Sequence, residues 1–197
     1  MNTTLWIFVA VIVLLVVMAV HFYNRLVELR NRISNAFAQI DVQLKRRHDL
    51  VPNLVEVAKR YMEHEAQTLQ AVVAARNQAQ DAVQAARQQP ADPQNMAALA
   101  VAEQGLMGSL SRLLAVAEAY PELKADASMR ELSEELSSTE NRVGFARQAY
   151  NDAVLEFNNA AQAFPALIVA RLCNFQPGAM LQATASEAER QVPRVQF

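Results

Sequence analysis

The chain has 197 residues, only four of them glycine, and a formal net charge of −2. This balance gives no basic surface for nucleic acid, and the 7% of aromatic residues are scattered rather than gathered into a stacking platform. Helix formers such as Ala, Leu, Gln, Glu and Arg dominate and no stretch alternates like a strand, so we expect an all-α protein with no nucleic-acid partner.

An apolar run near the N-terminus is long enough to cross a membrane. Leu5–Val20 has no charged side chain, and the wider stretch Thr3–Tyr23 meets the roughly 20 residues that a spanning helix needs. Trp6 at one end and Tyr23 at the other suit the two membrane interfaces. A cleaved signal peptide would need a basic segment before the run and small residues after it. Residues 1–23 are therefore predicted to be a short N-terminus and an uncleaved transmembrane anchor.

Charge decides the predicted orientation of this span. Basic side chains follow Tyr23 and none precedes Leu5: Arg25, Arg30, Arg32, Lys45, Arg46 and Arg47. Because basic residues beside a span tend to stay in the cytoplasm, we expect a single-pass protein of the cell inner membrane with its N-terminus outside. Cys173 is the single cysteine, so no intramolecular disulfide can form, as suits a reducing compartment.

Beyond the anchor, apolar residues recur at steps of three and four, the pattern of helices that bury one face. Four stretches share this pattern: 26–44, 54–83, 96–120 and 129–164. We therefore predict that residues 24–175 fold as a four-helix up-and-down bundle with packing of the coiled-coil type.

Prolines mark the predicted breaks between these helices, because a proline cannot continue a helix. The breaks are at Pro90 and Pro93, at Tyr120–Pro121 and at Phe164–Pro165. Ser128 and Glu131 have the spacing of a capping box, which predicts the start of the last helix.

The segment around Asp49 and Pro52 allows two interpretations. Asp49 can cap a new helix so that the chain reverses there, or Pro52 can kink one long helix. We favour reversal, with fraying of the second helix over Asn77–Gln89. Without reversal, the apolar face from Leu26 to Leu44 would need another subunit to cover it, which predicts self-association.

Several blocks of the sequence resemble the LemA family of bacterial membrane proteins. They are Gln39–Leu54, Ser111–Lys124, Thr139–Arg142, Tyr150–Asn151 and Phe164–Pro165. The resemblance extends from the anchor to Phe175 and implies a single N-terminal transmembrane helix with a four-helix bundle inside. It brings no enzymatic activity or catalytic residues, and it links some relatives with shaping organelle membranes and others with membrane proteases or stress systems.

The positions of the three histidines do not support a metal site. A di-iron site in a helical bundle uses Glu-x-x-His pairs, and none of His21, His48 and His64 has a glutamate three residues before it. Glu63–Glu65 offers three possible ligands in a row, but successive helix positions point about 100° apart and cannot close on one ion.

Nucleophilic chemistry is equally unsupported. Cys173 lies in an apolar stretch and is expected to be a buried, inert thiol. Ser109 and Ser111 lack a Gly-x-Ser-x-Gly context, and Gly105 and Gly108 form no phosphate-binding loop; we expect these glycines to allow close helix approach or to soften the helix. We therefore predict no catalytic, cofactor-binding or metal-binding residue.

Polar side chains on or beside the apolar stripes predict an ion-pair layer that fixes the register of the helices, with a partner-docking groove as the alternative. The candidates are Glu65, Arg76, Arg112, Glu140, Asn141 and Arg147. Lys45–Arg47 is interpreted as a solvated basic face, or as an anionic-lipid contact if it lies near the bilayer.

The C-terminal part contains an apolar segment, Pro165–Phe175, that is too short to span a membrane. Two interpretations stay open: it lies in the membrane interface, or it covers the open end of the core. Residues 176–197 are polar and are predicted to be disordered.

These observations predict a non-enzymatic scaffold or adaptor at the bacterial inner membrane. Its expected partners are membrane lipids and other proteins, with self-association also expected. The alternative function is a membrane-shaping protein that assembles into an oligomeric coat or ring. A hydrolase is disfavoured, because no nucleophile and base are paired in the sequence.

Overall fold

The structure, a computed structural model, describes residues 2–182. Within these residues the chain forms helices and no strand, so the prediction of an all-α protein is confirmed. The helices are α1 (Asn2–Lys59), α2 (Ala66–Gln88), α3 (Pro93–Ala117), α4 (Pro121–Ala125), α5 (Ala127–Gln162) and α6 (Ala166–Leu172).

α1 is a single helix of 58 residues that continues through Pro52, so the favoured reversal at Asp49 is wrong. Proline has no N–H to donate to the carbonyl four residues earlier, which here is that of His48. Arg76 of α2 supplies a donor instead, with its Nε 3.1 Å from the His48 carbonyl oxygen. Asp49 pairs with Lys45 on the same helix surface, 2.7 Å away, and caps nothing. A side chain of α2 therefore satisfies the carbonyl that Pro52 leaves without a helical donor, and α1 continues where a break was predicted.

The N-terminal part of α1 is exposed on all sides. Among the large apolar side chains of Leu5–Val20, the exposed fraction runs from 38% at Met18 to 70% at Trp6. By length and composition this helix is able to cross a membrane. Apolar surface of this extent is unfavourable in water, which is consistent with a membrane anchor.

The chain reverses first after Lys59 and again before α3. Met62 is fully buried in the first turn, and its N–H donates to the Ala58 carbonyl at 3.0 Å. The second turn contains the predicted pair of prolines. Asp92 caps α3 there by accepting two backbone N–H groups of the first turn, at 3.0 and 2.9 Å, and Pro93 occupies the first helical position.

α3 ends at Ala117, and the short α4 precedes α5. Asp126, and not the predicted Ser128, is the N-cap of α5, because its side chain accepts the N–H groups of Ser128 (2.8 Å) and Met129 (3.1 Å). The Tyr61 hydroxyl, just beyond α1, donates to the same carboxylate at 3.0 Å. The Met129 N–H and the Tyr61 hydroxyl hold the pKa of Asp126 below its usual value.

α5 runs antiparallel to α1, as their ion pairs show. Glu156, near the end of α5, lies 2.9 Å from Arg25 and 3.3 Å from Arg32. Glu135, near its start, lies 2.6 Å from Arg46, which is further along α1. The end of α5 therefore points back towards the apolar N-terminal segment.

The buried core forms two clusters along α1. The proximal cluster, nearer the apolar segment, is built of Leu26, Leu29, Ile33, Phe37, Ile40, Leu44, Val83, Ala86, Met96, Leu99, Tyr150, Val154, Phe157, Ala161, Ala170 and Leu181. The distal cluster is built of Val51, Leu54, Val57, Ala58, Met62, Leu69, Val72, Ala79, Leu106, Leu110, Leu113, Ala117, Leu123, Met129 and Leu136. The apolar face from Leu26 to Leu44 is thus covered by helices of the same chain although α1 does not reverse.

The first part of the tail predicted to be disordered is held against α5. Residues 176–182, here called the strap, belong to no helix or strand, and two asparagines of α5 bind their backbone. The Asn158 side chain accepts the Gly178 N–H (2.8 Å) and donates to its carbonyl (2.9 Å), and Asn151 does the same with Leu181 at 2.9 and 3.1 Å. The remainder of the predicted tail lies outside the described residues.

Candidate functional site

A buried ion-pair layer lies where the proximal and distal clusters meet. Arg47 and His48 are adjacent on α1, with only 3% and 2% of their surfaces exposed. Glu103 of α3 accepts from both: its Oε2 lies 2.9 Å from Arg47 Nη1, and its Oε1 lies 2.7 Å from His48 Nε2. Because a buried charge is stable only when it is paired, one carboxylate fixes the register of α1 and α3 here.

The basic run Lys45–Arg47 therefore divides between surface and core. Lys45 and Arg46 are exposed, as a solvated face requires, and each pairs with a carboxylate at the surface. Arg47 is buried, so the interpretation of the whole run as a solvated basic face is wrong. The α-helix accounts for the division, because consecutive residues point about 100° apart.

The side chains predicted for the layer lie elsewhere. Glu65 accepts the Thr68 hydroxyl at the start of α2, at 3.3 Å. Arg76 donates to the His48 carbonyl beside the layer. The others lie at the surface or along a groove: Arg112, Glu140, Asn141 and Arg147.

A periodic signal for the real layer was present in the sequence. Arg47 is three residues after Leu44, and His48 is three residues before Val51. Both therefore stand inside the apolar stripe of α1. Glu103 interrupts the stripe of α3 in the same way. Charged residues that replace apolar ones at stripe positions on two helices predict a buried pair.

A groove of about 250 Å³ runs between α3 and α5, and Arg47 and Glu103 of the ion-pair layer form part of its lining. Its floor is apolar, and its walls carry charges of both signs. We call it the α3–α5 groove, and its lining residues are Ile40, Leu44, Arg47, Leu99, Ala100, Glu103, Gln104, Met107, Glu140, Val143, Gly144, Arg147, Leu181 and Gln182. The end of the strap therefore forms part of it. Arg47 Nε, buried at its base, has no hydrogen-bond partner among the described residues.

A second groove, of about 660 Å³, lies beside the turn between α1 and α2. Val55, Met62, Leu69 and Val73 give it a largely apolar lining, and Lys59 stands at its edge. It is far from the apolar N-terminal segment, at the distal end of α1.

The histidines do not come together. His21 and His48 are separated by 27 residues of one helix, about 40 Å, and His64 lies in the turn after α1. Among residues 2–182, no three His, Cys, Asp or Glu side chains are placed to hold a metal ion.

The candidate nucleophiles make no hydrogen bond to a base within residues 2–182. Cys173 is exposed at the end of α6, so the prediction of a buried thiol is wrong. The Ser109 hydroxyl donates to the Leu106 carbonyl of its own helix at 2.8 Å. A Cβ added at Gly105 or Gly108 would meet nothing within 4 Å, so these glycines do not serve close helix contacts.

The LemA family model matches residues 36–197, a range that includes the ion-pair layer, the α3–α5 groove and the strap. A search of curated proteins gave no match. The chain belongs to the LemA family.

Proposed function

We propose that this protein is a non-enzymatic scaffold or adaptor at the bacterial inner membrane. In this proposal the apolar part of α1 is the single span, with the N-terminus outside, and the helices after it form a four-helix up-and-down bundle in the cytoplasm. The observation that carries it is the continuity of α1, in which one helix presents the apolar segment and then supplies the spine of both core clusters. Residues 24–59 extend for about 54 Å, so a partner would dock at a fixed distance from the bilayer.

The α3–α5 groove is the surface best suited to a partner. Its floor of Ile40, Leu44 and Leu99 is apolar, while Glu140 and Arg147 on its rim make no ion pair within the described part of the chain. An apolar centre with a polar rim is the usual composition of a protein–protein interface.

The buried charges support a non-enzymatic role. Arg47 and His48 are both bound to Glu103 between two apolar clusters, where the three side chains hold α1 and α3 in register. A buried layer of this kind has a structural role that requires no reaction.

Site-specific crosslinking in native membranes tests the adaptor proposal. A photoreactive amino acid is placed at Gly144 in the lining of the groove, where an added Cβ would meet nothing within 4 Å, and in a matched variant at Ala149 on the exposed face of the same helix. We expect a discrete adduct with another protein from position 144 and none from 149. Equal adducts from both positions, or none from either, would contradict the proposal.

The alternative, a membrane-shaping coat or ring, makes a different demand. The face from Leu26 to Leu44 was the one expected to need another copy of the chain, and it is covered within the chain, so it gives no support to contacts between copies. The pure protein added to liposomes separates the two functions, because only a coat-forming protein would turn them into tubules.

A further inference from the structure

α6 lies beside the place where α1 leaves its apolar segment. Glu156 of α5 is level with Arg25 and Arg32 of α1, and the six residues from there to Gln162 advance about 9 Å towards the N-terminal end of α1. That rise brings the end of α5 level with Phe22, at the boundary of the apolar segment. α6 begins four residues later, so the fold positions it at this boundary.

Aromatic contacts fix the same position from the other end of α6. The Phe175 ring, three residues after α6, meets the Tyr23 ring edge-on with centroids 5.7 Å apart, and it lies 6.3 Å from the Phe157 ring. Tyr23 closes the apolar segment. The apolar surface of the segment and that of the α6 region are therefore continuous.

The two faces of α6 differ in burial. Ala166 and Ala170, one turn apart, are buried, and Ala170 belongs to the proximal cluster. Because α6 contacts both α1 and α5, this face covers the end of that cluster. Ile168 and Leu172 lie on the opposite face, 52% and 81% exposed, and Phe164 just before the helix is 81% exposed. A helix that covers the core thus leaves its larger apolar side chains outside.

A basic side chain stands beside this outer face. Arg171 lies between Ile168 and Leu172 on α6, is exposed, and makes no ion pair within residues 2–182. The acidic side chains nearest the end of α5, Glu28 and Glu156, are already bound to Arg25 and Arg32. Arg171 therefore supplies the positive charge that contact with anionic headgroups requires.

We propose that α6 is an interfacial helix: Phe164, Ile168 and Leu172 insert into the lipid interface on the side of the membrane where the helical body lies, and Arg171 contacts anionic headgroups. The proposal rests on the proposed function, because it requires the apolar part of α1 to span the bilayer. It adds a second attachment beside the span, which would hold the body in one orientation on the membrane. An amphipathic face with aromatic and aliphatic residues beside a basic residue is typical of such helices.

Depth-dependent fluorescence quenching in reconstituted full-length protein tests this. A bimane probe is attached to a cysteine at Leu172 in a Cys173→Ala background, in phosphatidylcholine vesicles with and without phosphatidylglycerol, and spin-labelled lipids are the quenchers. Matched probes are placed at Val73, an exposed apolar position in the second groove beside the turn between α1 and α2, and at Val13 in the apolar segment. We expect the probe at 172 to lose most of its fluorescence, more so with phosphatidylglycerol, while the probe at 73 keeps its fluorescence. Arg171→Gln should remove the extra loss caused by phosphatidylglycerol.

Three outcomes overturn the proposal, and they are distinguishable. Quenching at 13 without quenching at 172 means that α1 spans the membrane but α6 lies in water. A probe at 172 with a blue-shifted spectrum and no lipid quenching means that protein, such as a second copy of the chain, covers this face. If the probe at 13 is not quenched by lipid, the apolar segment does not cross the bilayer, and the proposed function fails as well.

Discussion

At the scale of single residues, the hydrogen bond from the Arg76 side chain to the His48 carbonyl supports the continuation of α1 through Pro52. Pro52 leaves this buried acceptor without its helical donor, and Arg76 restores one at 3.1 Å. We expect Arg76→Leu to lower the free energy of unfolding by about 1–3 kcal/mol, the usual cost of an unsatisfied buried polar group. Urea unfolding of residues 24–197, followed by circular dichroism, measures this loss.

A second substitution isolates the mechanism. Pro52→Ala returns a backbone N–H to the His48 carbonyl, so Arg76→Leu should cost clearly less when both changes are combined than it does alone. Additive losses in this double-mutant cycle would show that Arg76 stabilises the protein through some other contact.

The carboxylate of Glu103 is expected to be the most sensitive charged group in the chain. Glu103→Ala would leave Arg47 and His48 buried without a partner, and removal of one member of a buried ion pair costs about 3–5 kcal/mol. The control is Glu140→Ala on the groove rim, which should change stability by no more than about 0.5 kcal/mol. Similar losses from both variants, measured by urea unfolding, would contradict a special role for the layer.

At the scale of secondary-structure elements, α5 contributes a face to the proximal cluster and leaves the opposite face in solvent. Phe157 is 2% exposed and Phe145 is 74% exposed on the same helix, which makes them a matched pair. We expect Phe157→Ala to cost about 3–5 kcal/mol of unfolding free energy, since it leaves a cavity in the core. Phe145→Ala should change the urea midpoint very little, and a loss below about 1 kcal/mol for Phe157→Ala would mean that this face of α5 is not buried.

The helices themselves could be predicted from the sequence, because the spacing of Leu26 to Leu44 or of Met129 to Phe164 depends only on residues close in the chain. The path at Pro52 could not, since the donor that rescues the helix, Arg76, is 24 residues away and only folding brings it near. The strap escaped prediction for the same reason. Asn151 and Asn158 bind backbone about 20 to 30 residues further on, and a polar segment shows no trace of this in its own composition.

The candidate site divides in the same way. The positions of Arg47, His48 and Glu103 within apolar stripes signalled a buried layer, but their mutual pairing depends on the register of α1 against α3. The α3–α5 groove arises from what the two helices leave unfilled between them. Such a space has no local sequence signature, so it could be found only in the structure.

At the scale of the whole molecule, one rigid helix joins a segment suited to lipid with a body suited to water. Large apolar side chains are exposed throughout Leu5–Val20, whereas in the rest of α1 they are mostly buried in the core. A break in α1 between Val20 and Leu26, where the apolar segment meets the proximal cluster, would have allowed the body to rotate about that segment. The continuous α1 instead couples the orientation of the body to that of the apolar segment, and an adaptor with this geometry would present the α3–α5 groove at a constant height.

The topology of the whole chain gives the last prediction. Basic side chains follow Tyr23 and none precedes Leu5, so the N-terminus should face outward and the helical body inward. Because the native Cys173 is exposed and would itself react, the experiment starts from Cys173→Ala. A cysteine at Thr3 should then be labelled by an impermeant maleimide in intact cells, and one at Ser111, exposed on α3, only after the cells are permeabilised. The reverse pattern would place the body outside the cytoplasm, and the adaptor would then have to act on partners on the other side of the membrane.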